Sequence, residues 1–206
     1  MNLTKFEQSG FILETKKGFR LAFDIGNKTP IDKLNTVKPV NAFLVSHIHG
    51  DHFYLENIKK ISPNDLYLNH ECLEAVGEEN LSAKIIEVKS GGSFLIDEIK
   101  ITYFTVDHGP NISAPVENLG FLIEVENQTI YFAGDMFYES GVDVSNLEID
   151  IALLPVGTFY TFGPQEAFDF VKKFKRIGKI ISMHYEKTPE TKKQFLELVK
   201  NNFQAE

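Results

Sequence analysis

The run Ser46-His47-Ile48-His49-Gly50-Asp51-His52 brings three imidazoles and a carboxylate into one short segment, a density that packing alone does not explain. Neutral imidazoles and carboxylates suit zinc, iron or manganese. His47 and His49 are two positions apart, so in an extended segment they point to the same side and can share one ion. Gly50 gives the backbone freedom for a sharp turn that aims Asp51 and His52 at a neighbouring point. One loop can therefore serve two ions, and paired divalent ions that activate water make hydrolysis the leading chemistry.

Strands must deliver these side chains. The apolar run 40–45 reads as a buried strand that ends at the cluster. Upstream, 10–14, a Lys17-Gly18 turn and 19–24 read as a hairpin. Helical spacing over 53–61 stops at Ser62-Pro63-Asn64-Asp65, and a short helix is expected near 71–76. Further strands are expected at 66–68, 85–88, 93–96, 99–106, 121–125, 129–133, 149–154 and 179–183. Gly163-Pro164-Gln165-Glu166 starts a helix whose apolar face is Phe168, Val171 and Phe174, and a last amphipathic helix runs from Thr188-Pro189-Glu190 to about Asn202. The stretch Lys172-Lys173-Phe174-Lys175-Arg176 reads as that first helix's solvated face and end. Layer logic favours an α/β architecture: two facing mixed β-sheets with helices on the outer faces, an αββα four-layer sandwich.

The same grammar of an apolar strand followed at once by a ligand type recurs downstream. His108 follows the strand 99–106 in Asp107-His108-Gly109-Pro110, Asp135 ends Tyr131-Phe132-Ala133-Gly134-Asp135, and His184 ends Ile180-Ile181-Ser182-Met183-His184. With these three the chain resembles the metallo-β-lactamase-fold hydrolases over nearly its whole length. That family has an H-x-H-x-D-H loop followed by a single His, a single Asp and a final His. Leu154-Pro155-Val156-Gly157, Thr161-Phe162-Gly163-Pro164-Gln165-Glu166-Ala167 and Met183-His184-Tyr185 look like the small stand-alone members related to ascorbate-6-phosphate lactonase.

The resemblance implies that His47, His49 and His108 hold one metal, that Asp51, His52 and His184 hold a second, and that Asp135 bridges them. Two divalent ions are then expected, Zn2+ first, with Mn2+ or Fe2+ as alternatives. Asp51 is the expected catalytic residue: one oxygen binds metal while the other positions the attacking water and shuttles its proton. Asp24, in Phe23-Asp24-Ile25-Gly26, is expected to orient the metal loop from behind the ligands. Thr158, Tyr160 and Thr161, on the loop 157–163 before the helix start, and Tyr185, beside a ligand, are candidate substrate contacts. The helix N-terminus at Gly163 is a candidate dock for a substrate anion. His49 departs from the glutamate of oxygen-reducing di-iron relatives, and Asp135 from the residue usual in true β-lactamases.

Composition bounds the partners. At 206 residues and 43% apolar content the chain is expected to form one domain spanning 1–206. A net charge of −8 and only two arginines, Arg20 and Arg176, argue against a nucleic-acid surface. A nuclease acting on RNA or DNA is therefore the alternative to hydrolysis of a small ester-like molecule: a lactone, phosphodiester or thioester. A non-catalytic metal-binding or sensing module is the third reading, and it predicts bound metal without turnover. The single cysteine, Cys72, fits a reducing compartment, and no apolar run reaches the about 20 residues that span a bilayer, so a cytoplasmic location is expected. His70 ends a strand but has no place in the pattern, and surface or helix-cap duty is expected of it. The 18 phenylalanines are read as core filling.

Overall fold

The computed structural model describes residues 1–138 and 142–206. By its internal contacts the chain divides into two compact units, Met1–Lys89 and Ser90–Glu206.

The first unit is built on six strands: β1 (Asn2–Lys5), β2 (Phe11–Glu14), β3 (Arg20–Phe23), β4 (Ala42–Leu44), β5 (Asp65–Leu68) and β6 (Lys84–Glu87). They lie side by side in chain order, antiparallel from β1 to β3 and parallel from β3 to β6. Parallel steps need crossovers, and a 3-10 turn (Ile31–Leu34), α1 (Leu55–Ile61) and α2 (His70–Val76) lie in them. Ile58 and Ile61 of α1 and Cys72 and Val76 of α2 join Ile12, Ala22, Phe43, Val45, Leu66 and Leu68 in one apolar cluster. The alternate residues Leu13, Leu21, Phe23, Ala42 and Leu44 are equally buried, so the central strands are apolar throughout and do not alternate. α1 starts two residues later than the spacing predicts, because the amides of His52 and Phe53 close a turn on the His49 carbonyl.

The second unit repeats the plan without repeating the sequence. β7 (Ser93–Ile96), β8 (Ile99–Thr105), β9 (Leu119–Val125) and β10 (Gln128–Phe132) form an antiparallel meander. β11 (Glu148–Pro155), β12 (Arg176–Met183) and β13 (Gln204–Ala205) then continue the sheet in parallel. α3 (Pro164–Val171) and α4 (Pro189–Val199) both open on a proline in the first turn, where its missing N–H is no loss. Phe170 anchors α3, its ring 5.9 Å from that of Tyr131 and 5.3 Å from that of Phe174. Burying such a side chain contributes about 1.5–3 kcal/mol.

Two sequence expectations need correction here. Phe168 is only half-buried, with the Lys172 ammonium over its ring, and the inward residues of α3 are Ala167, Phe170 and Val171. The basic stretch does not prolong the helix: Arg176 opens β12, where it pairs with Glu148, and its guanidinium reaches Asp150 at 3.2 Å. Cross-strand pairing and two carboxylates outweigh the local helical spacing at that point.

Candidate metal centre

In the first unit the ligand loop is held from three sides. β4 is buried throughout, and the chain leaves it at Val45, whose amide still bonds the carbonyl of Tyr67 on β5. The next residue turns to Asp24, which itself sits just past β3 with a left-handed φ of 50°. Ser46 N–H donates to Asp24 Oδ1 at 2.8 Å, and the Ser46 hydroxyl donates to Oδ2. His52 Nδ1 also lies 2.7 Å from that Oδ2. Both oxygens of this fully buried carboxylate are thus engaged. A carboxylate that accepts a hydrogen bond from Nδ1–H leaves Nε2 of His52, with its lone pair, as the ligand atom.

His47 is equally buried and stands 2.9 Å through Nδ1 from the Ser46 hydroxyl, with its Nε2 3.0 Å from His49 Nδ1. Asp24, His47 and His52 each offer one ligand atom within 4.8 Å of the others. Gly26 backs the loop: a Cβ there would fall 2.0 Å from the backbone carbon of Asp51 and 2.4 Å from the His52 nitrogen. Only glycine permits this approach. Asn57 pins the same stretch by donating to the carbonyls of Gly26 and Thr29 at 2.7 and 3.0 Å. Asp51 is half-buried, and the buried Gln8 amide donates to its Oδ2 at 3.1 Å.

In the second unit three strand ends converge. His108, Asp135 and His184 follow β8, β10 and β12, and Asp135 Oδ2 lies 3.4 Å from His108 Nε2 and 3.1 Å from His184 Nε2. Asn118 ties two of these ends together: its carbonyl accepts from Val106, and its amide donates to the Asp135 carbonyl at 3.1 Å. His184 has a left-handed φ of 58° and is close-packed: a Cβ on Gly157 would fall 1.9 Å from its carbonyl oxygen.

A divalent cation suits both donor sets. Each offers imidazole nitrogens and carboxylate oxygen, and each is largely buried, where ligand groups of this kind are stabilised by a cation. The remaining sequence candidates sit differently. Thr158 and Tyr160 are exposed, whereas Thr161 is 2% exposed with its hydroxyl directed to the Phe162 carbonyl. Tyr185 accepts from Lys192 Nζ at 3.2 Å, and that ammonium lies over its ring. At the α3 N-terminus Glu166 packs close to Gly163, its Oε2 lying 2.8 Å from where a Cβ on Gly163 would be. His70 is the exposed first residue of α2, beside Glu74 and Glu87, and Cys72 is buried.

Sequence reasoning missed Gln8, Asn118 and the role of Ser46. Ser46 was within reach, being adjacent to His47 with a hydroxyl where an apolar strand ends. Gln8 acts across 43 positions, and nothing local announces it.

Strand ends that deliver histidines and aspartates from two mixed sheets define the metallo-β-lactamase class of metal-dependent hydrolase. The family model described as the beta-lactamase superfamily domain matches residues 2–184, and the chain belongs to that family. It is 31% identical over 203 residues to a UPF0173 metal-dependent hydrolase of Korarchaeum cryptofilum, covering 93% of this chain and 86% of that protein. A UPF0173 metal-dependent hydrolase of Desulforamulus reducens is 32% identical over 202 residues, covering 92% and 86%. Among solved structures, the metallo hydrolase Igni18 from Ignicoccus hospitalis matches with a TM-score of 0.80 at 21% identity, covering 99% of this chain and 93% of that one. The metallo-beta-lactamase fold protein YhfI from Bacillus subtilis matches with a TM-score of 0.77 at 16% identity, covering 97% and 88%. The chain therefore has the α/β metallo-β-lactamase fold that the sequence predicts, with two mixed sheets and, among the described residues, four α-helices. No helix among those residues is long and apolar enough to cross a membrane.

Proposed function

We propose that the chain is a hydrolase that uses a dinuclear metal centre against a small ester-like substrate: a lactone, phosphodiester or thioester. The assignment of ligands is the one that the family resemblance implies. His47, His49 and His108 would hold one ion, Asp51, His52 and His184 the other, and Asp135 both. The observation that carries the reading is that one oxygen, Asp135 Oδ2, lies within 3.4 Å of the His108 Nε2 and 3.1 Å of the His184 Nε2, as a bridging carboxylate would. Zinc fits this nitrogen and oxygen set best, with manganese or iron as alternatives.

When bound, such ions supply Lewis acidity and a nucleophilic water at neutral pH. The chain's own residues do the rest. Asp24 and Ser46 hold the His52 and His47 rings in one orientation, so ligand geometry is set before substrate arrives. Asp51, half-buried and braced by Gln8, accepts the proton of the attacking water through a carboxylate oxygen. As the acyl–oxygen, acyl–sulfur or phosphorus–oxygen bond breaks, that proton passes to the departing alkoxide or thiolate. The acidic balance and the two arginines disfavour a nucleic-acid substrate, and the buried lone cysteine fits a reducing cytoplasm.

The deciding experiment is elemental analysis of the purified chain coupled to a panel of lactones, thioesters, phosphodiesters and RNA, repeated with Asp51→Ala. Two ions per chain and turnover of a small ester, lost in the variant, are expected. Metal without any turnover would support the sensing module, and RNA cleavage the nuclease. An Asp51→Ala protein with two ions and full activity would refute the role of Asp51.

A further inference from the structure

In the second unit, one segment, residues 157–162, buried at its ends and exposed at 158–160, is stitched to all three ligand-bearing strand ends. Asn111, three residues past His108, donates to the Phe159 carbonyl. Phe162 N–H donates to the carbonyl of Met136, next to Asp135, at 2.7 Å. Gly157 packs on the His184 carbonyl, and Thr188 donates to the Gly157 carbonyl at 2.8 Å.

Within the segment the backbone is held in an unfavourable form. Thr158 and Phe159 have φ of 61° and 62°, a left-handed conformation that neither residue type favours, closed by bonds from Thr158 N to Phe162 O and from Tyr160 N to Thr158 O. The same segment exposes apolar rings. Phe159 is 60% and Tyr160 42% exposed, with the rings edge-on at 4.6 Å. Tyr138, three residues past Asp135, is 52% exposed against Phe137, and its amide bonds Asp107 beside His108. Three of the six large apolar side chains exposed among the described residues therefore lie on segments that are hydrogen-bonded to the loops carrying His108 and Asp135.

A left-handed backbone at two non-glycine residues and exposed rings, on a segment bonded to the ligand-bearing loops, point to substrate. We propose that Phe159, Tyr160 and Tyr138 form an aromatic platform that binds an uncharged aryl group, or a similarly flat apolar group, of the molecule that is hydrolysed. This rests on the hydrolase reading and narrows its substrate class. Aromatic faces and edges hold a flat ring better than an alkyl chain, because stacked and edge-on pairs add quadrupole attraction to buried area.

The test has two arms. In the first, which needs no turnover, fluorine NMR follows fluorobenzyl alcohol and fluorohexanol binding to wild type, to the double variant Phe159→Ala/Tyr160→Ala, and to Leu95→Ala, an exposed residue on β7. Wild type and Leu95→Ala should prefer the aryl probe, and the double variant should bind it about tenfold more weakly. In the second arm, an aryl ester found by the substrate panel should show KM raised about tenfold in the double variant, with kcat and metal content unchanged. If no ester were turned over, the hydrolase reading would fall while the first arm still judged the platform. Equal binding of the two probes, or equal aryl binding by wild type and double variant, would overturn the proposal. So would a double variant that binds the probe normally but shifts from dimer to monomer on size exclusion, which would make the rings an interface between copies.

Discussion

Replacing Asp24 with asparagine isolates what its carboxylate does. Asparagine keeps the side-chain volume and tolerates the left-handed φ of 50° at this position, so the backbone is not perturbed. Asp24 accepts from Ser46 N at 2.8 Å through one oxygen and stands 2.7 Å from His52 Nδ1 through the other. An amide has one acceptor and one donor end, and either orientation turns an N–H toward another N–H. With the amide nitrogen toward His52, the ring must move its proton to Nε2, and the ligand lone pair is lost. With the amide turned over, Ser46 N–H is left facing a donor. Losing one hydrogen bond to a charged group costs about 1.5–3 kcal/mol. For a chain of this size that is a fall in Tm of about 3–12 °C. Affinity for zinc should fall about 10- to 100-fold, as for other groups that orient a ligating histidine. Calorimetry of chelated protein checks the first figure, and competition with a chromophoric chelator checks the second. An Asp24→Asn protein with wild-type Tm and wild-type zinc affinity would show that Asp24 does not set the His52 tautomer.

Gly26→Ala should be more damaging still, since its Cβ would meet the backbone of Asp51 and His52 at 2.0–2.4 Å. Displacing that loop should cost about 3 kcal/mol or more and empty the site, read as lost metal on elemental analysis of whatever soluble protein is recovered. Asn69→Ala removes the side chain that accepts from Cys72 N at 2.9 Å and caps α2. A loss of about 1 kcal/mol or more in urea unfolding is expected, since the same side chain also donates to the Ser46 carbonyl at 3.4 Å. Burial first, and then the Asp65 carboxylate, push the Tyr67 phenol from 10.0 up to about 12. The unfolded chain ionises first, so stability that is full below pH 10 should decline as pH rises toward about 12. Tyr67→Phe should flatten that alkaline limb in chemical denaturation; an unchanged limb would assign it to other groups.

Legibility from sequence followed the range of the interaction. The apolar run into Ser46-His47 and the glycine-proline turn after His108 are local patterns, and the structure has a strand ending at each. The proline starts of α3 and α4 were readable for the same reason. Arg176 was not: its spacing fits a helix, and only pairing with Glu148, 28 positions away, makes it a strand residue. Phe170 replaces Phe168 as the inward ring because Tyr131 stands where Phe170 can reach it. Asn118 and Gln8 serve the site through bonds to residues 17 and 43 positions away, with no signature of their own.

By itself the sequence determined which side chains can bind a cation and that each follows an apolar strand, because residue type and strand periodicity are properties of neighbouring positions. Tertiary structure decided which atoms meet. It engaged both Asp24 oxygens, set Asp135 Oδ2 close to two imidazoles, and brought Gln8 to Asp51. It also turned Phe159 and Tyr160 outward on a strained loop. Such distances follow from the register of strands far apart in the chain, and a one-residue slip in any pairing would turn each of these side chains away.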